Sequence, residues 1–270
     1  MGKLLNIIAS MVPSSVKKKV RKVLYNKLAD VTVKIGKNHR FINLGFAGPE
    51  KMALQEGDVA DRYHIQLYHE LLRGVDVDNK DVLEIGCGFG GGCYYLSNYH
   101  KPASVIGIDL SNRNIELCKK LNLAFKVKFY EMDAENIKLE SEKFDVIVNL
   151  ESSNSYPARD TKFCSEVVRL LKPGGYFVYG DLFPEAKFKS FVSSLTAKGM
   201  VKLSEREITN GVMSARKLMD VDSSIANKPF WIPSSMFHDF MVTTKSNAYK
   251  GMADGGLHYK LFLFKKSAEL

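Results

Sequence analysis

Residues 81–92 read DVLEIGCGFGGG, and the fold is decided there. Asp81–Gly86 is a short apolar run with the length and composition of a buried strand. It leads through Gly86-Cys87-Gly88-Phe89-Gly90-Gly91-Gly92 into a helix-like segment at 91–100. Glycines at a strand-to-helix turn let the backbone bend tightly and approach a ligand with no Cβ in the way. The same alternation continues outward. Ser104–Asp109, Lys126–Glu131, Phe144–Leu150 and Tyr176–Asp181 are strand candidates, with helix-like segments at 111–121 and 159–171. Strands separated by helices predict an α/β fold with a parallel sheet of right-handed βαβ units. Leu257–Lys265 alternates and is expected as an edge strand. Residues 209–255 carry Met- and Phe-rich helical stretches and are expected as a cap, with 31–208 and 256–270 forming the core.

The 270 residues are 45% hydrophobic and 26% charged, which excludes a disordered chain and a polytopic membrane protein. The net charge of +9 invites nucleic acid, anionic lipid or acidic substrates as partners. Its position narrows the choice. Residues 1–28 hold Lys3, Lys17, Lys18, Lys19, Arg21, Lys22 and Lys27 and no acid, leaving 32 basic against 30 acidic groups elsewhere. A nearly neutral body argues against a phosphate-tracking groove. Within residues 1–30, Val16, Val20, Val23 and Leu24 recur at helical spacing behind Ser14-Ser15, so a basic amphipathic helix is expected. Two readings of it stand: a helix lying on anionic lipid, or one packed on its own domain. A signal peptide fits poorly, because the apolar stretch is short and no small-x-small cleavage site is clear. The four cysteines are too scattered for a disulfide scaffold or a metal site, and free thiols in a cytoplasmic protein are expected.

Asp109 stands 23 residues after Gly86 at the end of the next strand, where a carboxylate can accept hydrogen bonds from both ribose hydroxyls of an adenosine ligand. That much fits NAD as well. Three further features separate the two. Glu84 precedes the glycines where dinucleotide folds usually carry an apolar residue. Asp133-Ala134 ends the third strand, and Lys172-Pro173-Gly174-Gly175 turns the chain into the fifth. In this order and spacing the set resembles the class I S-adenosylmethionine-dependent methyltransferases, with a Rossmann-like, seven-stranded, mostly parallel sheet and helices on both faces. A narrower likeness rests on Asn43-Leu44-Gly45-Phe46, Arg62–His69, Glu151–Pro157 and Gly180-Asp181-Leu182. Together these resemble the phthiotriol-type methyltransferases, which methylate hydroxyls of lipid or polyketide-derived compounds in secondary metabolism. The resemblance implies S-adenosyl-L-methionine as cofactor, held by Glu84, Gly86, Gly88, Gly90, Asp109, Leu110, Asn114, Asp133 and Ala134. It further implies that Tyr68 covers the cofactor and that Asn149, Leu150 and Glu151 flank its methionine part and sulfonium. One departure matters: Asn154 stands where the family often has a histidine, and an amide cannot act as a base.

A hydroxyl acceptor loses its proton as the new bond forms, so a general base is wanted. The candidates are His258, beside Gly255-Gly256 at the start of the last strand, His238 on the cap, and Glu151. Each has a bland alternative: a strand histidine bonded to backbone or solvent, a core or surface histidine, and an acid that binds the cofactor amine and stays ionised near a cation. Asn154, Tyr156, Trp231, Phe237 and His258 are the candidate acceptor contacts, and no metal is called for. Adenine-amino methyltransferases commonly carry an Asn/Asp-Pro-Pro-aromatic run after the fourth strand, where this chain has Asn149-Leu150-Glu151-Ser152; no Pro-Cys nucleophile for cytosine appears. The expected partner is a small hydrophobic molecule, with peripheral membrane contact through residues 1–28 as a further candidate. Methylation at N or C of a small molecule, and a non-catalytic cofactor-binding scaffold, are the alternatives. The oligomeric state is not legible.

Overall fold

A computed structural model describes residues 40–50, 52–121, 123, 127–219 and 242–268, together with positions 22, 23, 26, 30, 234, 238 and 239. Helix α1 (Arg62–Leu71) precedes the alternation of β1 (Asp81–Ile85), α2 (Gly91–Tyr99), β2 (Ser104–Asp109), α3 (Asn112–Cys118), β3 (Val127–Glu131) and β4 (Phe144–Leu150). A π-helical turn at Arg159–Phe163 leads into α4 (Cys164–Leu170), then β5 (Leu171–Phe183), α5 (Glu185–Thr196) and β6 (Met200–Glu207). Helices α6 (Thr209–Leu218) and α7 (Asn247–Ala253) come before β7 (His258–Lys266). The seven strands form one sheet in the order β3-β2-β1-β4-β5-β7-β6. The first five are parallel, and β7 runs antiparallel to both of its neighbours.

Period-two alternation sorts the strand side chains onto two faces. Val82, Val105, Val146, Val148 and Val178 pack with Ile65 and Leu67 of α1 and Leu96 of α2. Leu83, Ile85, Ile106, Ile108, Ile147 and Phe177 pack with Val167 of α4 and Phe188 and Phe191 of α5. Both faces are therefore covered, and the strands between them read as continuous apolar runs.

β7 is not the edge strand that its alternation predicts. It lies between β5 and β6, and Tyr259, Lys260, Leu261, Phe262 and Phe264 are all buried. The edge falls to β6, where exposed Val201 and Leu203 are interspersed with the charged Lys202, Glu205 and Glu207 that commonly guard an unpaired strand. The expected leader helix and most of residues 220–241 of the expected cap lie outside the described residues. At the described leader positions, Lys22 pairs with Glu131, Asn26 bonds Ser111 and Asn112, and Asp30 pairs with Arg113. Positions 22, 26 and 30 share one helical face, so that face meets the body of the protein. The four cysteines are free and buried. Among the described residues no helix is long and apolar enough to cross a membrane, and no group of three or more His, Cys, Asp or Glu could hold a metal ion.

Candidate active site

A cleft of about 1000 Å3, counted to its open mouth, lies beyond the carboxyl ends of β1, β2 and β4. The chain leaves β1 toward β2 on one side and β4 on the other, which is where an open α/β sheet makes a crevice. The glycine turn forms its floor. Gly86 and Cys87 donate backbone N–H groups to Ile108 O at 2.8 and 3.0 Å. Gly86 has φ +74°, and a Cβ there would sit 2.4 Å from Ser152 Oγ. The Gly88 N–H donates to Asp109 Oδ2 at 3.0 Å, while Asp109 Oδ1 accepts from Ser111 N at 2.8 Å and Asn114 Nδ2 at 3.2 Å. Burial pushes the Asp109 carboxyl up to about 6 against these hydrogen bonds. Asn114 also lines the cleft, and its Oδ1 is buried without a hydrogen-bond partner among the described residues.

Beneath the loop sits a second acid. Glu84 is 1% exposed, and it accepts from the Tyr68 hydroxyl at 2.7 Å and the Cys93 thiol at 3.1 Å. Burial pushes it up to about 7. A Cβ at Gly92 would lie 2.0 Å from its Oε1, so the first turn of α2 must be glycine to clear it. On the open side, residues 40–43 cross the mouth. The Arg40 guanidinium lies 4.1 Å from the Tyr94 ring centroid and 3.3 Å from Asp58. Asp58, 1% exposed, also accepts from the hydroxyls of Tyr94 and Tyr99.

Glu151 follows β4 with φ +50°, a left-handed conformation that strains a non-glycine residue. Its N–H donates to Gly180 O at 2.8 Å. Its carboxylate accepts from Leu44 N at 2.9 and 3.1 Å and from the Tyr259 hydroxyl at 2.6 Å. Burial dominates and pushes Glu151 up to about 7, with Tyr259, Leu44 and the charge of Arg216 pulling the other way.

Of the residues singled out from sequence, Tyr68, Gly86, Gly88, Asp109, Leu110, Asn114, Asp133, Ala134, Leu150, Glu151 and Tyr156 line the cleft together. Three stand behind its wall. Glu84 braces Tyr68, Gly90 starts α2 with φ +83°, and fully buried Asn149 donates to Ile85 O at 2.8 Å and Ser152 Oγ at 2.7 Å. His258 is not in the cleft: its Nδ1 lies 2.9 Å from Glu207 Oε1, because the β6–β7 pairing brings these strand ends together. It lines a different cavity. His238 Nδ1 is 2.7 Å from Thr243 Oγ1. The Asn154 side chain is exposed and accepts from Ser155 Oγ; Ser155 lines the cleft and Asn154 does not. Trp231 and Phe237 lie outside the described residues. Sequence reasoning missed Arg40, Phe41, Ile42 and Tyr259, and noted Asn43 and Ser152 only for the family likeness, with no site role. No periodicity marks the first three, and Tyr259 is one strand residue among many until its partner is known.

A family model described as a methyltransferase domain matches residues 83–179. The phthiotriol/phenolphthiotriol dimycocerosates methyltransferase of Mycobacterium tuberculosis is 35% identical over 236 residues, covering 84% of this chain and 85% of its own. The fatty-acid O-methyltransferase of Mycolicibacterium smegmatis is 33% identical over 234 residues, covering 85% and 84%. Among solved structures, geranyl diphosphate C-methyltransferase from Streptomyces coelicolor, in complex with S-adenosyl-L-homocysteine, superposes with a TM-score of 0.69 at 14% identity over 94% of this chain and 99% of its own. The last likeness concerns the fold; the first three findings concern descent. The chain belongs to the S-adenosylmethionine-dependent methyltransferases, in the family of the phthiotriol/phenolphthiotriol dimycocerosates enzymes.

Proposed function

We propose that the enzyme methylates an oxygen of a hydrophobic, lipid-type acceptor, with Glu151 taking the acceptor's proton. Glu151 carries this reading: a strained, half-buried acid on the wall of the cleft, pushed up to about 7. Such a value suits proton transfer near neutral pH. The acceptors in the names of the two curated relatives, a dimycocerosate and a fatty acid, support a lipid-type substrate.

The residues present suit S-adenosylmethionine. An unpartnered buried amide oxygen belongs to a lining residue, Asn114, and the glycine cradle would be filled by a Cβ at Gly86. Asp109 and Asn114 would hold the ribose, Asp133 and Ala134 the adenine, and Gly86, Gly88, Leu150 and Tyr68 the methionine part, with Glu84, Gly90 and Asn149 shaping that wall from behind. When bound, the cofactor supplies an electrophilic methyl carbon on a sulfonium. The protein's share is alignment and a dry site. Arg40–Asn43 close the mouth, Tyr156 and Ser155 border the acceptor's approach, and Glu151 accepts the hydroxyl proton while Tyr259 and Leu44 fix its orientation.

The fatty-acid relative favours a second reading, methylation of a carboxylate, which is already ionised and needs no base. Glu151→Gln separates the two. With a long-chain alcohol or phenol, kcat/KM should fall by about 10²–10⁴-fold while cofactor binding persists. A retained rate with fatty acids alone would replace the hydroxyl reading.

For the basic leader we propose peripheral contact with anionic lipid through its lysines. Deleting residues 1–28 should abolish binding to anionic liposomes and spare turnover. Liposome binding that survives the deletion would refute it.

A further inference from the structure

Asp58 is a buried acid that the proposed chemistry does not use. At 1% exposure it accepts from the Tyr94 hydroxyl at 2.9 and 3.0 Å and the Tyr99 hydroxyl at 2.7 Å, and it pairs with Arg40 at 3.3 Å. A carboxylate taken out of water is costly unless donors surround it. Two of these donors stand on α2. The third is the first residue of the segment that crosses the mouth of the cleft, and the Tyr94 ring lies 4.1 Å from the same guanidinium. Asp58 and Tyr94 therefore hold Arg40 between them.

The crossing segment is seated on the glycine turn. A Cβ at Gly91 would lie 2.4 Å from Phe41 Cδ1 and 2.7 Å from Arg40 O, and one at Gly88 would lie 2.7 Å from Ile42 Cδ1. The missing side chains that open this turn to a ligand also let the segment close over it. Phe41 sits between α1 and α2, its ring centroid 6.0 Å from that of His64 and 6.2 Å from that of Tyr94. Downstream the chain is tied by its backbone: Leu44 N to Glu151, Phe46 N to Tyr63 O at 2.9 Å and Ala47 N to Gly211 O at 3.0 Å. Phe46 and Ala47 there border the second cavity, the one that His258 lines. At the upstream end the ion pair among the described residues is Arg40–Asp58.

The segment thus covers Gly88 and Gly91, on the side of the cleft assigned above to the methionine part of the cofactor. Asp109, Asn114, Asp133 and Ala134, assigned to adenosine, follow β2 and β3. We propose that Asp58 is a positioning residue for the cofactor: acting through Arg40, it holds residues 40–43 over the methionine half and slows the release of S-adenosylhomocysteine. The adenosine half is indifferent to it. This rests on the cofactor placement above, and on neither the acceptor nor the base.

Calorimetric affinities of the full chain for S-adenosylhomocysteine and adenosine test this without turnover, together with the release of labelled S-adenosylhomocysteine into unlabelled excess. A hydrogen bond to a charged group corresponds to about tenfold or more in an equilibrium. Asp58→Asn and Arg40→Met should each weaken S-adenosylhomocysteine and speed its release by about that factor, with adenosine affinity unchanged. Retained adenosine binding also shows that the variant is folded. The double variant should be no worse than the more affected single one, because both remove the same pair. Arg40→Met, at a partly exposed position, decides alone if Asp58→Asn does not fold. Unchanged release in Arg40→Met, or a loss that adenosine shares, would overturn the proposal. Additive losses in the double variant would overturn it too, since Asp58 would then act by another route than Arg40. Adenosine bound by Asp109→Ala as tightly as by the wild type would instead overturn the cofactor placement.

Discussion

At the scale of the residue, Glu151 and Tyr259 show how one acid is tuned. Burial raises the carboxyl, and the Tyr259 hydroxyl, as a donor to the charged form, holds it down. Removing the donor must therefore raise it further. On the proposed mechanism, kcat/KM in the wild type loses its rate on the acid side near pH 7, and Tyr259→Phe should move that limb to higher pH, with activity recovering above it. A pH–rate profile with an unmoved limb would dissociate Tyr259 from the proton transfer. Glu151 is legible in the sequence because it ends the fourth strand, where substrate and cofactor meet in this fold. His258 misleads for the opposite reason. Its neighbourhood depends on which strand β7 joins, and Glu207 is 51 residues away in sequence. Its ring meets the Glu207 carboxylate, a side-chain partner that neither the pocket-base reading nor that of a histidine bonded to backbone or solvent includes.

At the scale of the element, the turn from β1 into α2 is a packing problem with one solution. Glu84 must lie under the loop to brace Tyr68, and α2 must begin within reach of its carboxylate. A methyl at Gly92 would overlap that oxygen at 2.0 Å. Overpacking of a well-filled site costs about 1–3 kcal/mol, so Gly92→Ala should lower stability by that order in denaturant melts and weaken S-adenosylhomocysteine in calorimetry. Wild-type values in both would show that the turn has slack. The glycines, Asp109 and the strand–helix alternation all announce this element in sequence, because local backbone demands leave local marks. The crossing segment at residues 40–43 leaves none. Its position depends on Asp58, before α1, and on Tyr94 and Tyr99, both on α2: two parts of the chain distant from it in sequence.

At the scale of the whole molecule, four acids, Glu84 and Asp181 buried and Asp109 and Glu151 half-buried, share one consequence. Glu84 and Glu151 are pushed up to about 7, and Asp109 and Asp181 to about 6, from ordinary values of 4.5 and 3.8. Each is raised in the folded state, so each contributes stability that is present below its unfolded value and lost as pH rises through its folded one. Acids lowered by partners, such as Asp81 and Glu205, act with the opposite sign, at lower pH. The cofactor-free protein should therefore show a Tm that falls from about pH 4.5 to about pH 7 and levels off above it in a thermal scan. A flat or rising Tm over that window would mean these acids do not carry the burial cost assigned to them. The fold class was legible because hydrophobic period and turn chemistry agree from residue 81 to 183. The placement of β6 and β7 was not, since edge and interior strands of similar composition differ only in their neighbours.

The segment from Arg40 to Pro49 has the shape of a loop without the freedom of one. Its first residues border the cleft, its middle is fastened to Glu151, and its last residues border the second cavity. Surface connections usually absorb insertions and deletions without harm. Here the count of residues between Asn43 and Phe46 sets the spacing of two compartments, like the pitch of a key. Length, more than composition, is the property that natural variation in this stretch has to preserve.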